Sequence, residues 1–354
     1  MQMSSFLVSR HRTLPGYVPG THSEEADVIR LNTNESPYPP SKEVLEAIQE
    51  EAARLNYYND PDCNDLRTAL GSRHAVSPEW IMAGNGSDQI LQLAFLAFAD
   101  EQCPIYLPDV TYSYYDLFAA LYHIPLVRIP LSEDYSLDPQ RYANVPGMIV
   151  FPNPNAPTGL AVSREAIRKL AENSPEHVIL VDEAYVDFGG ETSIPLTREF
   201  PNLLVVRTFS KSGSLAGLRL GYCVGNPALI EELGRIRNAM DLYGVNRLAQ
   251  AAGIAACRNW AYYEKNAERI MASRTYTTEK LRELGFTVLE SKGNFVFARP
   301  GNCEAETLRK QLMERGLLVR HFAGERTEQY LRITIGTQQE MEHLVAALKD
   351  ILKA

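Results

Sequence analysis

Apolar residues recur along this chain with two different spacings. Between residues 41 and 98 they follow the three- and four-residue spacing of amphipathic helices, in a first stretch that begins after Ser41 and a second that begins at Ser87. We therefore expect two helices there, the first capped by the Ser41 side chain. In the middle of the chain, short and continuous apolar runs alternate with further helical patterns. These runs cover residues 148–151, 178–181 and 203–206.

The alternation of apolar runs and helices predicts the fold class. A continuous apolar run suits a strand that is covered on both faces, so the pattern indicates an α/β protein with a mostly parallel sheet flanked by helices. Ligands of such sheets bind beyond the carboxyl ends of the strands. The loops after residues 151, 181 and 206 are therefore where we expect the chemistry.

The last hundred residues follow a different pattern. Apolar runs at 317–319 and 331–335 predict strands, and Thr337 and Glu340 form a capping box ahead of a helix. This indicates a smaller α+β domain. We expect an N-terminal arm with part of the small domain over residues 1–39, a large domain over 40–245 and a small C-terminal domain over 246–354.

Composition and charge exclude several classes of protein. The chain has 354 residues, enough for two domains, and a formal net charge of −9. An acidic chain without a basic run is a poor nucleic-acid binder. We expect no metal site, because the five cysteines and the histidines lack ligand spacing. The N-terminal segment lacks the apolar core of a signal peptide and no apolar run is long enough to span a membrane, so we expect a cytoplasmic protein.

Two segments carry candidate ligand chemistry. Residues 84–88 (GNGSD) place glycines at the start of a helix, which suits a phosphate but equally suits an ordinary glycine turn. A dinucleotide fingerprint would need a third glycine where Gln89 stands. Asp182 ends an apolar run, as in an ATPase, but the chain has no P-loop sequence. Asp182 therefore either caps local structure or pairs with a cation.

A lysine and an arginine follow the next run. Lys211 is either a solvated loop residue or an imine-forming lysine, and Arg219 either forms a surface ion pair or binds an anion. The order of these signals matches the needs of one cofactor. Pyridoxal phosphate requires a lysine at its aldehyde, an acid at its pyridine nitrogen and amide or cationic groups at its phosphate.

Longer motifs in the same order carry a resemblance to a known family. The chain resembles the fold-type I pyridoxal-phosphate aminotransferases and, among them, the histidinol-phosphate aminotransferase family. The similar segments are 31–38 (LNTNESPY), 58–61 (YNDP), 84–88 (GNGSD), 111–113 (TYS), 154–159 (PNAPTG), 181–185 (VDEAY), 209–221 (FSKSGSLAGLRLG), 294–295 (NF) and 331–336 (LRITIG).

The resemblance implies a role for each matching residue. Lys211 would hold the cofactor as an imine and shuttle the substrate proton, Asp182 would pair with the pyridinium and Tyr185 would bind the phenolate oxygen. Tyr112 would stack on the ring, Arg332 would bind the substrate's carboxylate or phosphate with help from Arg320, and the arm residues Tyr17, Asn34 and Glu35 would cover the substrate. Around the cofactor phosphate would lie Gly86, Ser87, Asp88, Thr208, Ser210 and Arg219, with Tyr58 contributed by the other subunit of a homodimer.

One departure from the family concerns the loop after the first run. The family's usual Asn, which binds the phenolate oxygen, is Ala156 here. We hypothesise that the neighbouring Asn155 takes over this contact, with Asn153 as the alternative.

The resemblance implies transamination of imidazole-acetol phosphate with glutamate in histidine biosynthesis. Three alternatives remain open from the sequence: an aromatic aminotransferase, a threonine-phosphate decarboxylase, and a non-catalytic regulatory domain that binds pyridoxal phosphate. The acidic charge and the absence of an extra N-terminal domain argue against the regulatory alternative.

Overall fold

The fold is that of a computed structural model, which describes residues 6–12, 14, 16 and 27–353. Its strands are β1 (Ile29–Leu31), β2 (Ile81–Asn85), β3 (Ile105–Pro108), β4 (Leu126–Ile129), β5 (Met148–Pro152), β6 (Ile179–Asp182), β7 (Leu203–Thr208), β8 (Leu220–Gly225), β9 (Thr287–Val288), β10 (Phe295–Arg299), β11 (Leu317–His321) and β12 (Leu331–Thr334). Its α-helices are α1 (Lys42–Ala52), α2 (Asn64–His74), α3 (Gly86–Phe98), α4 (Tyr114–Tyr122), α5 (Arg164–Glu172), α6 (Pro227–Met240), α7 (Arg247–Arg258), α8 (Trp260–Glu283), α9 (Ala305–Met313) and α10 (Gln338–Lys353).

The larger sheet has seven strands in the order β2-β8-β7-β6-β5-β3-β4. Strand β8 runs antiparallel to both of its neighbours, β2 and β7, and the other pairs are parallel, so the predicted mostly parallel sheet is confirmed. Every residue of β5, β6 and β7 is buried, which is why their sequences read as continuous apolar runs rather than as alternating ones.

Successive residues of these strands belong to two different cores. Val181 and Val205 pack on one face, with residues of α2 and α7. Leu180 and Leu204 pack on the other face, with residues of α3, α4 and α6. The two helical layers leave the carboxyl ends of β5, β6 and β7 as the place where polar side chains gather.

The smaller sheet has five strands in the order β1-β11-β12-β10-β9. Strand β1 pairs in parallel with β11, which ties the segment before α1 to the C-terminal part of the chain. Helices α8, α9 and α10 supply much of the apolar core against this sheet. Both strands predicted between residues 317 and 335 are present, as β11 and β12.

Helix α7 bears on the domain boundary. Ala249, Ala252 and Ala256 of α7 belong to the core of the larger sheet. Helix α8 packs against both sheets. Its Tyr263 belongs to one of the two cores of the larger sheet, and its Ile270 belongs to the core of the smaller sheet. The boundary near residue 245 stays a prediction, and this packing favours a later boundary, inside α8.

One of the two predicted helix caps is found. A cap also occurs at Ser163, which accepts a hydrogen bond from the Ala166 backbone N–H at the start of α5. Thr337 and Glu340 bond reciprocally, as a capping box requires. Ser41 occupies the N-cap position of α1, but its side chain accepts no hydrogen bond from that helix, so this cap prediction is wrong. None of the helices within the described residues combines the length and apolar character needed to cross a bilayer.

Candidate active site

A cavity of about 170 Å³ opens where β5, β6 and β7 end, between the two sheets. Most residues that the sequence singled out line it together. They are Asn34, Ser87, Asp88, Tyr112, Asp182, Tyr185, Thr208, Ser210, Lys211, Arg219, Arg320 and Arg332. Residues more than 250 positions apart in sequence thus meet in one place, which is the arrangement that a single catalytic site requires.

One end of the cavity is built for an anion. Helix α3 begins at Gly86, so its first backbone N–H groups and its positive dipole end are directed there. Gly86 has a φ of +78°, and a Cβ at this residue would lie 2.8 Å from Arg219 Nη2. A Cβ on Gly221 would lie 2.3 Å from the Ser87 backbone nitrogen. A side chain at Gly86 would collide with Arg219, and one at Gly221 would collide with the first backbone groups of α3.

Arg219 is oriented within this anion site by an acidic neighbour. It has a φ of +54°, in the left-handed region that non-glycine residues seldom adopt. Its Nη2 donates to Asp88 Oδ2 at 2.7 Å, and the Tyr112 hydroxyl donates to Asp88 Oδ1 at 3.1 Å. Asp88 therefore positions Arg219 and Tyr112 together, rather than binding an anion itself.

Asp182, the last residue of β6, also lines the cavity. Its side chain is only 4% exposed. The Tyr115 hydroxyl donates to Oδ2 at 3.0 Å and the Ala184 backbone N–H donates to Oδ1 at 3.1 Å. Burial nevertheless raises the pKa of the Asp182 carboxyl to about 6. The carboxylate form at neutral pH would gain from a cation in the cavity.

Tyr115 is a functional residue that the sequence reasoning missed. It stands in a run of aromatic residues beside Tyr112, and it is fully buried, as a core aromatic would be. Its hydroxyl, however, lies against Asp182. Tyr112 lies before α4 and Tyr115 within it, so no helical spacing rule predicts the contact between their rings, whose centroids are 5.5 Å apart.

Lys211 follows β7 and reaches into the middle of the cavity. Its Nζ donates to the Thr33 carbonyl at 3.1 Å and lies 5.6 Å from the centre of the Tyr185 ring. Thr33 belongs to a short segment after β1 that contacts three predicted site residues in succession. The Asn32 carbonyl accepts from Arg332 Nη2 at 2.8 Å, and Asn34 Nδ2 donates to the Tyr185 hydroxyl at 3.0 Å.

Arg320 and Arg332 face the cavity from the smaller sheet. They are direct neighbours on the antiparallel strands β11 and β12. Two like charges opposite one another on a sheet repel, so a bound anion would relieve a local cost. Both arginines also border a second cavity of about 810 Å³, which adjoins the first and shares Tyr112 and Ala156 with it. This larger cavity has room for a substrate side chain.

A buried ion network lies below the Lys211 loop. Arg207 of β7 pairs with Glu183 at 3.3 Å and also with Asp187. Asp187 accepts a hydrogen bond from the Ser212 hydroxyl, next to Lys211. Although its own burial opposes the effect, Arg207 and Arg73 hold the pKa of Asp187 below its usual value. The network ties the loop after β6 to the loop after β7, which a sequence reading of single motifs did not reveal.

Gly86 is not part of the cavity lining although α3 begins there, and four further predicted site residues lie apart from the lining or outside the described residues. Tyr58 is 80% exposed and stacks on Tyr243 at a ring-centroid distance of 4.5 Å. Glu35 bonds instead to Thr33 near the surface. Asn155 Nδ2 donates to the Val110 carbonyl and to Thr158 Oγ1, at 3.1 and 3.0 Å, and Asn155 does not line the cavity. Tyr17 lies outside the described residues.

The donor set matches what pyridoxal phosphate requires. A helix start with an arginine suits its phosphate, a buried carboxylate of raised pKa suits its pyridinium nitrogen, and a lysine lines the same cavity. Because Gly86 has no Cβ, the Arg219 guanidinium can approach the start of α3, where the phosphate would bind. Among the described residues, no group of three or more His, Cys, Asp or Glu side chains could hold a metal ion.

Known proteins share both the sequence and the fold. The pattern of the family described as aminotransferase class I and II matches residues 26–348. Histidinol-phosphate aminotransferase of Acetobacter pasteurianus is 48% identical over 351 residues, 99% of each chain. Histidinol-phosphate aminotransferase 2 of Dechloromonas aromatica is 46% identical over 354 residues, again 99% of each. The crystal structure of histidinol-phosphate aminotransferase from Sinorhizobium meliloti in complex with pyridoxal-5'-phosphate superposes with a TM-score of 0.88 at 26% identity, covering 99% of this chain and 98% of that one.

A mostly parallel seven-stranded sheet with a lysine, a buried aspartate and an anion site at its carboxyl edge defines a fold-type I aminotransferase. The resemblance expected from the motifs is thereby confirmed. The chain belongs to the class I and II aminotransferase family.

Proposed function

We propose that the protein transfers an amino group from glutamate to imidazole-acetol phosphate, giving histidinol phosphate and 2-oxoglutarate, with pyridoxal phosphate as its cofactor. The observation that carries the proposal is the single cavity that joins Lys211 and Asp182 to the arginine pair of β11 and β12. The relatives at 48% and 46% identity, which are named for this activity and matched over almost their whole length, support the substrate assignment.

Each residue around the cofactor would have a separate role in binding or catalysis. The bound cofactor supplies an electron-accepting ring that makes the substrate's α-proton acidic. Asp182 keeps the pyridine nitrogen protonated, because a buried carboxylate is stabilised by a cation beside it. Lys211 Nζ would hold the cofactor covalently and, once the incoming amine displaces it, would carry the proton from the α-carbon of the amino donor to the cofactor carbon that bore the aldehyde. In the second half-reaction it would carry a proton in the opposite direction, to the α-carbon of the product. The start of α3 with Arg219, Thr208 and Ser210 fixes the phosphate.

The arginine pair accounts for two substrates in one site. Glutamate presents a carboxylate and the imidazole substrate presents a phosphate, and a guanidinium fork binds either with paired hydrogen bonds. We propose that Arg332 binds each anion in turn and that Arg320, its neighbour across the strands, adds a second positive charge. The adjoining cavity of about 810 Å³ would take the imidazole ring.

A single-turnover experiment tests this function. Cofactor-loaded protein is mixed separately with L-histidinol phosphate, L-phenylalanine and L-threonine phosphate, and the absorption of the cofactor is followed. Fastest conversion by histidinol phosphate supports the proposal. Fastest conversion by phenylalanine would replace it with an aromatic aminotransferase, and carbon dioxide release from threonine phosphate would replace it with a decarboxylase. If no amine alters the spectrum of the loaded protein, the regulatory alternative is favoured.

We propose further that two copies of the chain form the working enzyme, with Tyr58 completing the partner's phosphate site. Tyr58 does not line the cavity of its own chain and is mostly exposed. Around it lies an exposed apolar surface, here called the Tyr58 patch, which comprises Leu55, Tyr57, Tyr58, Met240, Leu242 and Tyr243. Exposed apolar clusters of this kind mark protein interfaces.

A cytoplasmic location also stays a proposal, supported by five free cysteines.

A further inference from the structure

The orientation of the buried Asn34 side-chain amide determines to which acceptor the Tyr185 hydroxyl can donate its hydrogen bond. Asn34 lies after β1 with 1% of its surface exposed and a φ of +56°. Its backbone N–H donates to Thr334 Oγ1 at 3.0 Å, and its backbone carbonyl accepts from Asn294 Nδ2 at 3.0 Å. The residue is thus held at both backbone groups, in a conformation that asparagine tolerates better than most residues.

Thr334, on β12, fixes which way the Asn34 amide faces. A backbone N–H can only donate, so Thr334 Oγ1 is the acceptor there and its single proton remains to be placed. The Asn34 side-chain oxygen lies 2.9 Å from Oγ1 and takes that proton. The reversed amide would present its NH₂ group to Thr334 and leave the buried threonine proton without this acceptor.

This orientation places Asn34 Nδ2, a donor, 3.0 Å from the Tyr185 hydroxyl oxygen. Tyr185 therefore accepts from Asn34, and its own proton is available for another acceptor. With the amide reversed, the Asn34 oxygen would take that proton instead. Thr334 thus decides, through Asn34, whether Tyr185 can act as a donor inside the cavity.

The Tyr185 hydroxyl matters as a donor because the loop that contains Asn155 and Ala156 offers no side-chain donor to the cavity. Ala156 lines the cavity but has no polar side chain, and both contacts of Asn155 Nδ2 lie elsewhere. We propose that Asn34 and Thr334 are positioning residues that direct the Tyr185 proton toward the phenolate oxygen of bound pyridoxal phosphate. The proposal rests on the proposed function, because it takes pyridoxal phosphate as the occupant of the cavity.

The test is a pH titration of the visible absorption of the cofactor-loaded protein. It reports the pKa of the nitrogen that joins Lys211 to the cofactor. A phenolate that loses a donated hydrogen bond carries more negative charge and holds the proton on that nitrogen more firmly. We expect Thr334→Val to raise this pKa by roughly half a unit to one unit. Thr334→Ser, which keeps the hydroxyl, should titrate like the wild type.

Three further substitutions make the result specific. In a Tyr185→Phe background, Thr334→Val should add no further shift, because the hydroxyl through which it acts is gone. Thr277→Val is the matched control: Thr277 is equally buried and donates to the Ser273 carbonyl within α8, so it tests the general cost of the substitution. Its titration should match that of the wild type. Asn34→Asp, which replaces the donor with an acceptor, should raise the pKa at least as much as Thr334→Val.

The outcomes separate the two levels of inference. If Tyr185→Phe shifts the titration and Thr334→Val does not, or if the two shifts add, the positioning role of Thr334 is refuted while the proposed function stands. If Tyr185→Phe itself shifts nothing, the assignment of Tyr185 to the phenolate oxygen fails, and the positioning role fails with it. A non-additive shift that Thr334→Ser rescues supports the inference.

Discussion

At the scale of single residues, the site is governed by charges that burial makes costly. Asp182 combines a side chain that is 4% exposed with two hydrogen bonds that favour its charged form. Burial outweighs those hydrogen bonds, so the pKa of the carboxyl is raised to about 6. Without cofactor the charged form of Asp182 is therefore costly, and a cation in the cavity would stabilise it.

This raised pKa predicts a pH-dependent stability. Asp182 binds a proton more readily in the folded chain than in the unfolded one, where its pKa is near 3.8. Its stabilising contribution is therefore complete below about pH 4 and is lost as the pH rises through about 6, by about 3 kcal/mol in total. Urea unfolding of the cofactor-free wild type and of Asp182→Asn across this range measures the effect. A difference between the two proteins that does not change with pH would contradict it.

A second prediction at this scale concerns Arg332. If one guanidinium binds both anions, Arg332→Ala should lower kcat/KM for glutamate and for the phosphorylated substrate together, each by roughly 30-fold or more, since a charge pair loses one partner. Arg332→Lys should recover only part of the loss, because an ammonium cannot make the paired contacts. Steady-state kinetics of both half-reactions provide the measurement. Arg235→Ala, far from the cavity in an exposed pair with Glu231, is the control. A loss confined to one substrate would show that Arg332 binds only that anion and that the other substrate's anion binds elsewhere.

At the scale of elements, the ends of neighbouring strands are held in register by buried charges. Strand β6 leads into Glu183 and Asp187, β7 carries Arg207, and the three form one network below the cavity. Because Ser212 also bonds to Asp187, the position of the Lys211 loop depends on the same network. The precision of the site thus comes from contacts between loops and not from any loop alone.

Removing Arg207 from this network should strongly destabilise the fold. Arg207→Met leaves Glu183 and Asp187 buried without it, and we expect a loss of about 3–5 kcal/mol in the free energy of unfolding. Arg235→Ala, which breaks the exposed ion pair with Glu231, should change stability by less than about 0.5 kcal/mol. Urea denaturation at neutral pH compares them. Equal effects of the two substitutions would mean that the buried network contributes no more than a surface pair.

The start of α3 gives a further prediction at the element scale. Gly86→Ala adds a Cβ at a positive φ and 2.8 Å from Arg219 Nη2, so it should cost about 1–2 kcal/mol in stability and weaken cofactor binding several-fold. Gly234→Ala is the matched control, since Gly234 lies inside α6 with open space around its Cβ position. That substitution should be neutral or stabilising. Thermal unfolding and cofactor titration of both variants are the measurements, and unweakened binding in Gly86→Ala would count against the anion site.

At the scale of the whole molecule, α8 packs against both sheets, and the Tyr58 patch is an exposed apolar surface. The Tyr58 patch joins the segment after α1 to the segment after α6 through the stacking of Tyr58 on Tyr243. Covering this patch with a second copy would bury it and would bring Tyr58 to a cavity that is not its own.

Mixed dimers distinguish this arrangement from a monomer. Lys211→Ala and Tyr58→Ala should each be nearly inactive alone. Refolded together, they should recover activity, because a chain with an intact Lys211 then receives Tyr58 from its partner. Activity assays combined with sedimentation of the mixture provide the measurement. If mixing restores nothing although dimers form, Tyr58 serves its own chain or no site.

The sequence alone determined the class of fold and the chemistry of the site. Buried parallel strands must be continuously apolar, so residues 148–151, 178–181 and 203–206 already indicated a covered sheet. The residues that follow parallel strands meet at one edge, so the spacing of the apolar runs was enough to bring Asp182 and Lys211 together. Local rules also predicted the capping box of Thr337 and Glu340, since its bonds close within one helical turn.

Only the tertiary structure decided how those residues are held. Tyr115 reaches Asp182 across 67 positions of sequence, and Thr334 orients Asn34 across 300. The hydrogen bonds of Asn155 turn it away from the cavity although it neighbours Ala156. Such contacts depend on side-chain directions between distant segments, which no local pattern encodes. The spacing of the apolar runs predicts which residues lie at the carboxyl edge of the sheet. The packing of distant segments decides which hydrogen bonds those residues donate and accept.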